Sequence, residues 1–325
     1  MARSDAPGEP VDRRRAQVVL GTVTTDLLNT SEPLPLDAAR QVLALLPGVG
    51  ADWRRHPIEQ VVSPGLFFGL DCRLAVRSGA QPRAIGTARA RAVLTAGHVL
   101  QGSAHVEVVL DASKRRLPWG HYMAHTGMVE VINKADPEDL VTGFLLAKPS
   151  SGALDLGTMG SYVMSLLDHV PQVDGEARLK TQTRRLLWAA HVQEGAEPAG
   201  RIEAGEDGVF RVRMTTPPAL LPQFVEFCEV LALHDWLLAA LKNAFDRSTR
   251  PRRRAEDEID PALSYLGHVW NPTAHLPWEM RWLWEALESE AQLTWEWQST
   301  LTRVRDKVTL LTRKAIEETL HKEFV

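Results

Sequence analysis

The chain has 325 residues, 44% of them hydrophobic, enough for one large domain or two ordinary ones with a filled core. Its 37 basic and 41 acidic side chains leave a formal charge of −4, so no global field draws in nucleic acid or an anionic membrane. No apolar run reaches the roughly 18 residues that span a bilayer, and the N-terminus lacks the hydrophobic core of a signal peptide, so a cytoplasmic protein is expected. Cys72 and Cys228 lie far apart, with neither metal-type spacing nor a disulfide framework, which fits a reducing compartment.

Residues 1–16 are small, polar and proline-containing, with three arginines from Arg13 to Arg15, and read as a disordered lead-in. The β-branched run from Val18 to Val23 predicts a buried strand. A helix to Leu46 follows, with Asp37 at its N-cap and Pro47-Gly48 ending it. From Ser63 to Leu110, short runs between Gly, Pro and Ser predict strands at Leu66 to Leu74, Ala84 to Thr87, Ala92 to Thr95 and His105 to Leu110. Met128 to Ile132 reads as a further strand, and Met159 to His169 as a helix. Arg184 to Val192 and Val209 to Thr215 read as two strands of a hairpin.

After Pro217-Pro218 the pattern turns helical. Pro222 to Phe245 is apolar nearly all round and predicts a buried central helix. An Arg-rich linker over residues 247–258 precedes helices from Pro261 to Val269 and from Trp278 to Ser289. The chain closes on a long helix, roughly Gln292 to Lys322. On it Trp297, Leu301, Val304, Val308, Leu311 and Ala315 recur in steps of four and three and form a narrow apolar seam. Seven of the ten tryptophans follow residue 230, so this region either builds an aromatic core or leaves rings for a partner.

Thr95-Ala96-Gly97-His98-Val99 resembles the segment that carries the general-base histidine of trypsin-like serine peptidases, and Asp139 loosely resembles the orienting aspartate. The nucleophile motif is missing: Ser150-Ser151-Gly152 and Gly160-Ser161-Tyr162 lack its glycines. His121 and His125 have the i, i+4 spacing of two metal ligands on one helical face, without a third ligand at a diagnostic distance. The glycine turns match no phosphate-cradling loop, so a nucleotide in this system falls to another protein. His234-Asp235 interrupts the central helix, but adjacent helical residues face different neighbours. Lys114 to Arg116, Arg184-Arg185 and Arg247 to Arg254 are basic without aromatic interleaving and read as solvated loops.

Several phrases together resemble an uncharacterised family of actinobacterial proteins. Among them are Val19-Leu20-Gly21-Thr22-Val23, Gly69-Leu70-Asp71-Cys72, Leu117-Pro118-Trp119-Gly120-His121-Tyr122 and Ala232-Leu233-His234-Asp235-Trp236. The resemblance implies one component of a multi-protein system encoded near P-loop and methyltransferase-like proteins, with a P-loop NTPase encoded nearby as a partner, and supplies no catalytic residue.

The sequence therefore predicts an α+β protein. A mixed β-sheet N-terminal domain (residues 17–218) is joined to a C-terminal all-α helical region (residues 219–325). The leading expectation is a non-enzymatic adaptor or scaffold with no catalytic, cofactor-binding or metal residue. It would bind a protein partner, or itself, through Trp282, Trp297, Leu301, Val304, Val308 and Leu311. The alternative is a trypsin-like or metal-dependent hydrolase using His98.

Overall fold

The computed structural model describes residues 16–54, 58–79, 81–110, 115–132, 134–146, 152–177, 179–205, 208–248, 255–273 and 276–323. Most of the expected lead-in, residues 249–254 of the Arg-rich linker, Lys114 and the pair Ser150-Ser151 lie outside them, as does the side chain of Ala315.

The fold is α+β. In chain order its strands are β1 (Val18–Leu27), β2 (Asp52–Arg54), β3 (Gln60–Val62), β4 (Leu66–Arg73), β5 (Arg83–Thr95), β6 (Val99–Val109), β7 (Met128–Ile132), β8 (Arg184–Val192), β9 (Ala199–Ala204) and β10 (Phe210–Thr216). They form one mixed sheet in the order β2-β3-β5-β7-β6-β1-β8-β10-β9, with β4 paired to β5. Strand β1 sits centrally, antiparallel to both β6 and β8. Its side chains alternate between two cores: Val18 and Leu20 enter one, Val19 and Val23 the other. Burial on both faces is why β1 reads as a continuous apolar run rather than as alternation.

The first core is covered by α1 (Leu36–Val42), α3 (Pro137–Leu146) and α4 (Leu156–Ser165), through Val42, Leu140, Val141, Leu156 and Val163. Helix α4 is set by Asp155, which accepts the Thr158 N–H at 3.0 Å. It lies so close to β6 that a Cβ on Gly102 would stand 2.1 Å from the Gly160 carbonyl oxygen, which accounts for both glycines.

The second core is built by α5 (Leu221–Ser248). Its sheet-facing side packs on β1, β6 and β8, while α6 (Ala255–Leu266) and α8 (Leu293–Glu323) pack against it. Helix α7 (Arg281–Ala291) lies against β9. Phe224, Phe227, Leu231 and Trp236 are all buried, as the uniform apolarity of α5 predicts. The helical region thus shares its core with the sheet. Gly21 on β1 leaves room for the indole of its cross-strand neighbour Trp188, and a Cβ there would fall 2.0 Å from the ring.

Several expectations need correction. Strands β8 and β10 are parallel, not a hairpin, because β9 lies between them in sequence and pairs antiparallel with β10. Ala84 to Thr87 and Ala92 to Thr95 belong to one long strand, β5, that carries β3 and β4 on one side and β6 and β7 on the other. The N-cap of α1 is Pro35, which brings no side-chain hydrogen bond; Asp37 lies in the first turn. Helix α6 begins at Ala255, inside the expected linker. Helix α3 and the five-residue α2 (Trp119–Met123) were not predicted.

Candidate functional site

His98 ends a tight turn between β5 and β6, in which Ala96 (φ 52°) and Gly97 (φ 72°) are both left-handed and the His98 N–H returns to the Thr95 carbonyl. Gly97 is required there, since a Cβ would meet the Leu34 carbonyl oxygen at 2.4 Å. The imidazole is buried. Its Nδ1 lies 2.7 Å from the Ala96 carbonyl oxygen and its Nε2 2.9 Å from that of Tyr265, on α6. A neutral ring has one N–H and satisfies one of these acceptors, whereas the cation would satisfy both. Burial outweighs the second bond and holds the pKa below the ordinary value; the nearby His268 adds to that. A general base needs a free lone pair aimed at a reacting atom. Here both ring edges face main chain, and among the described residues no hydroxyl or carboxylate bonds the ring. Asp139 sits in the first turn of α3, which packs on the opposite face of the sheet from α6.

His234 and Asp235 diverge, as neighbours on a helix do. His234 turns Nδ1 to the Val230 carbonyl at 2.7 Å and stands edge-on to Trp270 and Trp284. Asp235 accepts a fork from Arg184 at 2.8 and 3.1 Å, and Arg184 also donates to the Gly208 carbonyl. Burial pushes the Asp235 carboxyl up to about 6 despite that guanidinium.

His121 bonds Glu130 at 2.6 Å, while His125 turns Nδ1 to the His121 carbonyl at 2.9 Å, and the two rings lie tilted with centroids 5.0 Å apart. Among the described residues no group of three or more His, Cys, Asp or Glu side chains could hold a metal ion. His105 lies beside Trp188 on β8, and burial, with the charges of Arg91 and Arg89, pushes its pKa down to about 3. Both thiols are free, and burial raises each, Cys72 to about 11.

The expected partner-binding residues divide. Trp282 is 43% exposed. Trp297 and Val304 are buried in the chain's own core, Trp297 stacked on Trp270 with centroids 4.2 Å apart; Leu301, Val308 and Leu311 are half-buried. Much of the seam is therefore spent inside the molecule, a correction with a plain cause: α8 uses it to pack beside α5. The rings that do face solvent in this region include two that periodicity does not single out, Trp278 (76% exposed) and Trp295 (66%). Of the basic clusters, Arg184 is taken by Asp235, and Arg116 lies over the Trp119 ring at 5.8 Å.

No protein family matches the chain, and no curated protein or solved structure does so either.

Proposed function

We propose that the chain is a non-enzymatic adaptor or scaffold of a multi-protein system, and that it engages a protein partner through its tryptophan-rich helical region. The observation that carries this reading is the exposure of Trp278, Trp282 and Trp295 in a region where Trp236, Trp284 and Trp297 are buried. Trp278 opens a short 3₁₀ turn (Trp278–Met280) that runs straight into α7, so it and Trp282 stand about one turn apart on neighbouring positions. An indole left three-quarters exposed forgoes roughly 3 kcal/mol of burial, at about 25 cal/mol per Å² over ~130 Å². Tryptophan is also the residue most enriched where interfaces concentrate their binding energy.

Helix α8 supports the same reading. It runs parallel to the end of α5: Lys242 pairs with Glu296, Phe245 lies under Arg303 and Lys307, and Lys307 donates to the Ser248 carbonyl. Ser248 ends α5, but α8 continues to Glu323, ~24 Å further at 1.5 Å per residue, with Leu310 and Ile316 exposed.

The test is affinity capture from the native host with wild-type protein and with a Trp278→Ser, Trp295→Ser variant of equal melting temperature. A partner recovered near one-to-one with wild type, a P-loop NTPase being the first expectation, should be lost with the variant. Fluorophosphonate labelling that His98→Ala abolishes would sink the reading, and so would the absence of any stoichiometric partner.

A further inference from the structure

We propose that the outer edge of β4, unpaired from Phe67 to Asp71 among the described residues, accepts an extended, acid-bearing peptide segment of a partner protein as an added strand. This surface is separate from the tryptophan-rich helices.

The orientation of the β4 main chain is fixed at its end. The Arg73 N–H donates to the Gly152 carbonyl and the Arg73 carbonyl accepts from the Leu154 N–H, both at 2.9 Å, forming a parallel bridge with Ala153. The next residue, Leu74, instead donates to the Pro82 carbonyl, toward the β5 side. Successive residues of an antiparallel pair alternate between bonding the partner and pointing away from it. Phe67, Gly69 and Asp71 therefore share the outward orientation of Arg73. Among the described residues nothing bonds their N–H or C=O groups. From Phe67 to Asp71 this is ~14 Å of open ladder at about 3.4 Å per residue.

The other sheet edges are blunted. Strand β2 has three residues, and β9 lies against α7, with Leu283 Cδ1 3.1 Å from where a Gly200 Cβ would stand. Strand β4 has eight residues, and its interior Gly69 removes the side chain that would shield the backbone. A Cβ at Gly69 would meet only the Trp119 indole, at 3.7 Å.

The side chains beside this ladder state what fits. Phe67 is 46% and Trp119 41% exposed, flanking Gly69 on the outward face. At the Asp71 end, one carboxylate takes a fork from Arg83 at 2.6 and 2.7 Å and stands 3.8 Å from Arg116, while the Arg73 guanidinium, among the described residues, bonds the neutral Gln81 amide. Three guanidiniums against one carboxylate leave an excess of positive charge, with the Arg83 and Arg116 side chains about half exposed. A complementary strand places apolar side chains over Phe67 and Gly69 and a carboxylate at the arginines. Main-chain bonds supply affinity and alternate side chains supply selectivity.

The probe is the capped, fluorescein-labelled peptide Thr-Val-Thr-Val-Thr-Glu-Thr, with its reverse sequence, titrated against the full chain by fluorescence anisotropy. One of the two should bind saturably, and Glu→Lys in the peptide should weaken it about tenfold. N-methylation of one alternate set of peptide residues should abolish binding while the other set is tolerated, because only one set faces β4. Gly69→Pro, which deletes an outward N–H and leaves the β5 ladder intact, should abolish binding with an unchanged circular dichroism spectrum. If that variant misfolds, the N-methyl series on wild-type protein decides. The proposal is overturned if neither peptide binds, if both N-methyl sets bind equally, or if folded Gly69→Pro still binds. It is equally overturned if the edge is filled by a second copy, seen as a concentration-dependent dimer that Gly69→Pro dissociates.

Discussion

Arg91 on β5 forks onto Glu229 of α5 through both carboxylate oxygens, at 2.8 and 2.7 Å, and so ties the sheet to the helix that covers it. The site is nearly dry: the Glu229 side chain is 4% and the Arg91 side chain 17% exposed. The Gln101 amide adds a bond to the Glu229 carbonyl at 2.9 Å. Removing one partner strands the other charge, so Glu229→Ala should cost about 3 kcal/mol in urea unfolding. Replacing both with apolar residues, as in Arg91→Met with Glu229→Leu, should recover most of that loss. A double variant less stable than Glu229→Ala alone would show the ion pair to be a net source of stability.

Two groups, the half-buried His105 and the buried Asp235, titrate with opposite consequences. His105 is held near 3, below its ordinary value of 6.5. As pH falls below 6.5 the unfolded chain takes up a proton that the folded chain refuses, so stability present above 6.5 is lost progressively toward pH 3. Asp235 is held near 6, above its ordinary 3.8. Its contribution is present below 3.8 and lost as pH rises through 6. In urea midpoints measured between pH 7 and 5, His105→Leu should flatten the loss on acidification and Asp235→Asn should steepen it. The same slope in all three proteins would refute the assignment.

The His98 ring joins the β5–β6 turn to the Tyr265 carbonyl on α6, and Tyr265 in turn donates its hydroxyl to the Ser31 carbonyl at 2.7 Å. His98→Ala should therefore loosen a joint. We expect a stability loss of about 1–3 kcal/mol, the usual cost of buried groups left without partners, and faster amide exchange in the last turn of α6. Unchanged exchange there would mean that the ring does not hold the helix.

What the sequence reveals and what it hides separate along physical lines. Strand β1 and helix α5 are legible because burial on all sides leaves long uninterrupted apolar runs. Helix α3 escapes notice because only Leu140, Val141, Gly143 and Leu145 face inward, too few to set a period against its acidic start. The parallel pairing of β8 with β10 is invisible to a local reading, since it depends on β9 leaving the chain path and returning. The β4 edge is hidden for the same reason: nothing in Leu66 to Arg73 says which neighbours pair with it. The seam on α8 shows its period but not its partner, and the partner is largely α5.

Trp295 and Trp297, two residues apart at the start of α8, separate interface from core. Trp297 is 2% exposed and lies flat on Trp270, with the rings 5° from parallel, while Trp295 is 66% exposed. Trp297→Ser deletes a buried ring and leaves a cavity that neighbouring helices cannot close, so it should cost about 3–5 kcal/mol. Trp295→Ser removes surface that folding never buried and should stay within about 0.5 kcal/mol of wild type. Thermal and urea unfolding of the two single variants measure the contrast directly. If Trp295→Ser proved as costly as Trp297→Ser, the exposed ring would be part of the fold rather than surface held for a partner, and the tryptophan-rich region would lose its standing as a docking site.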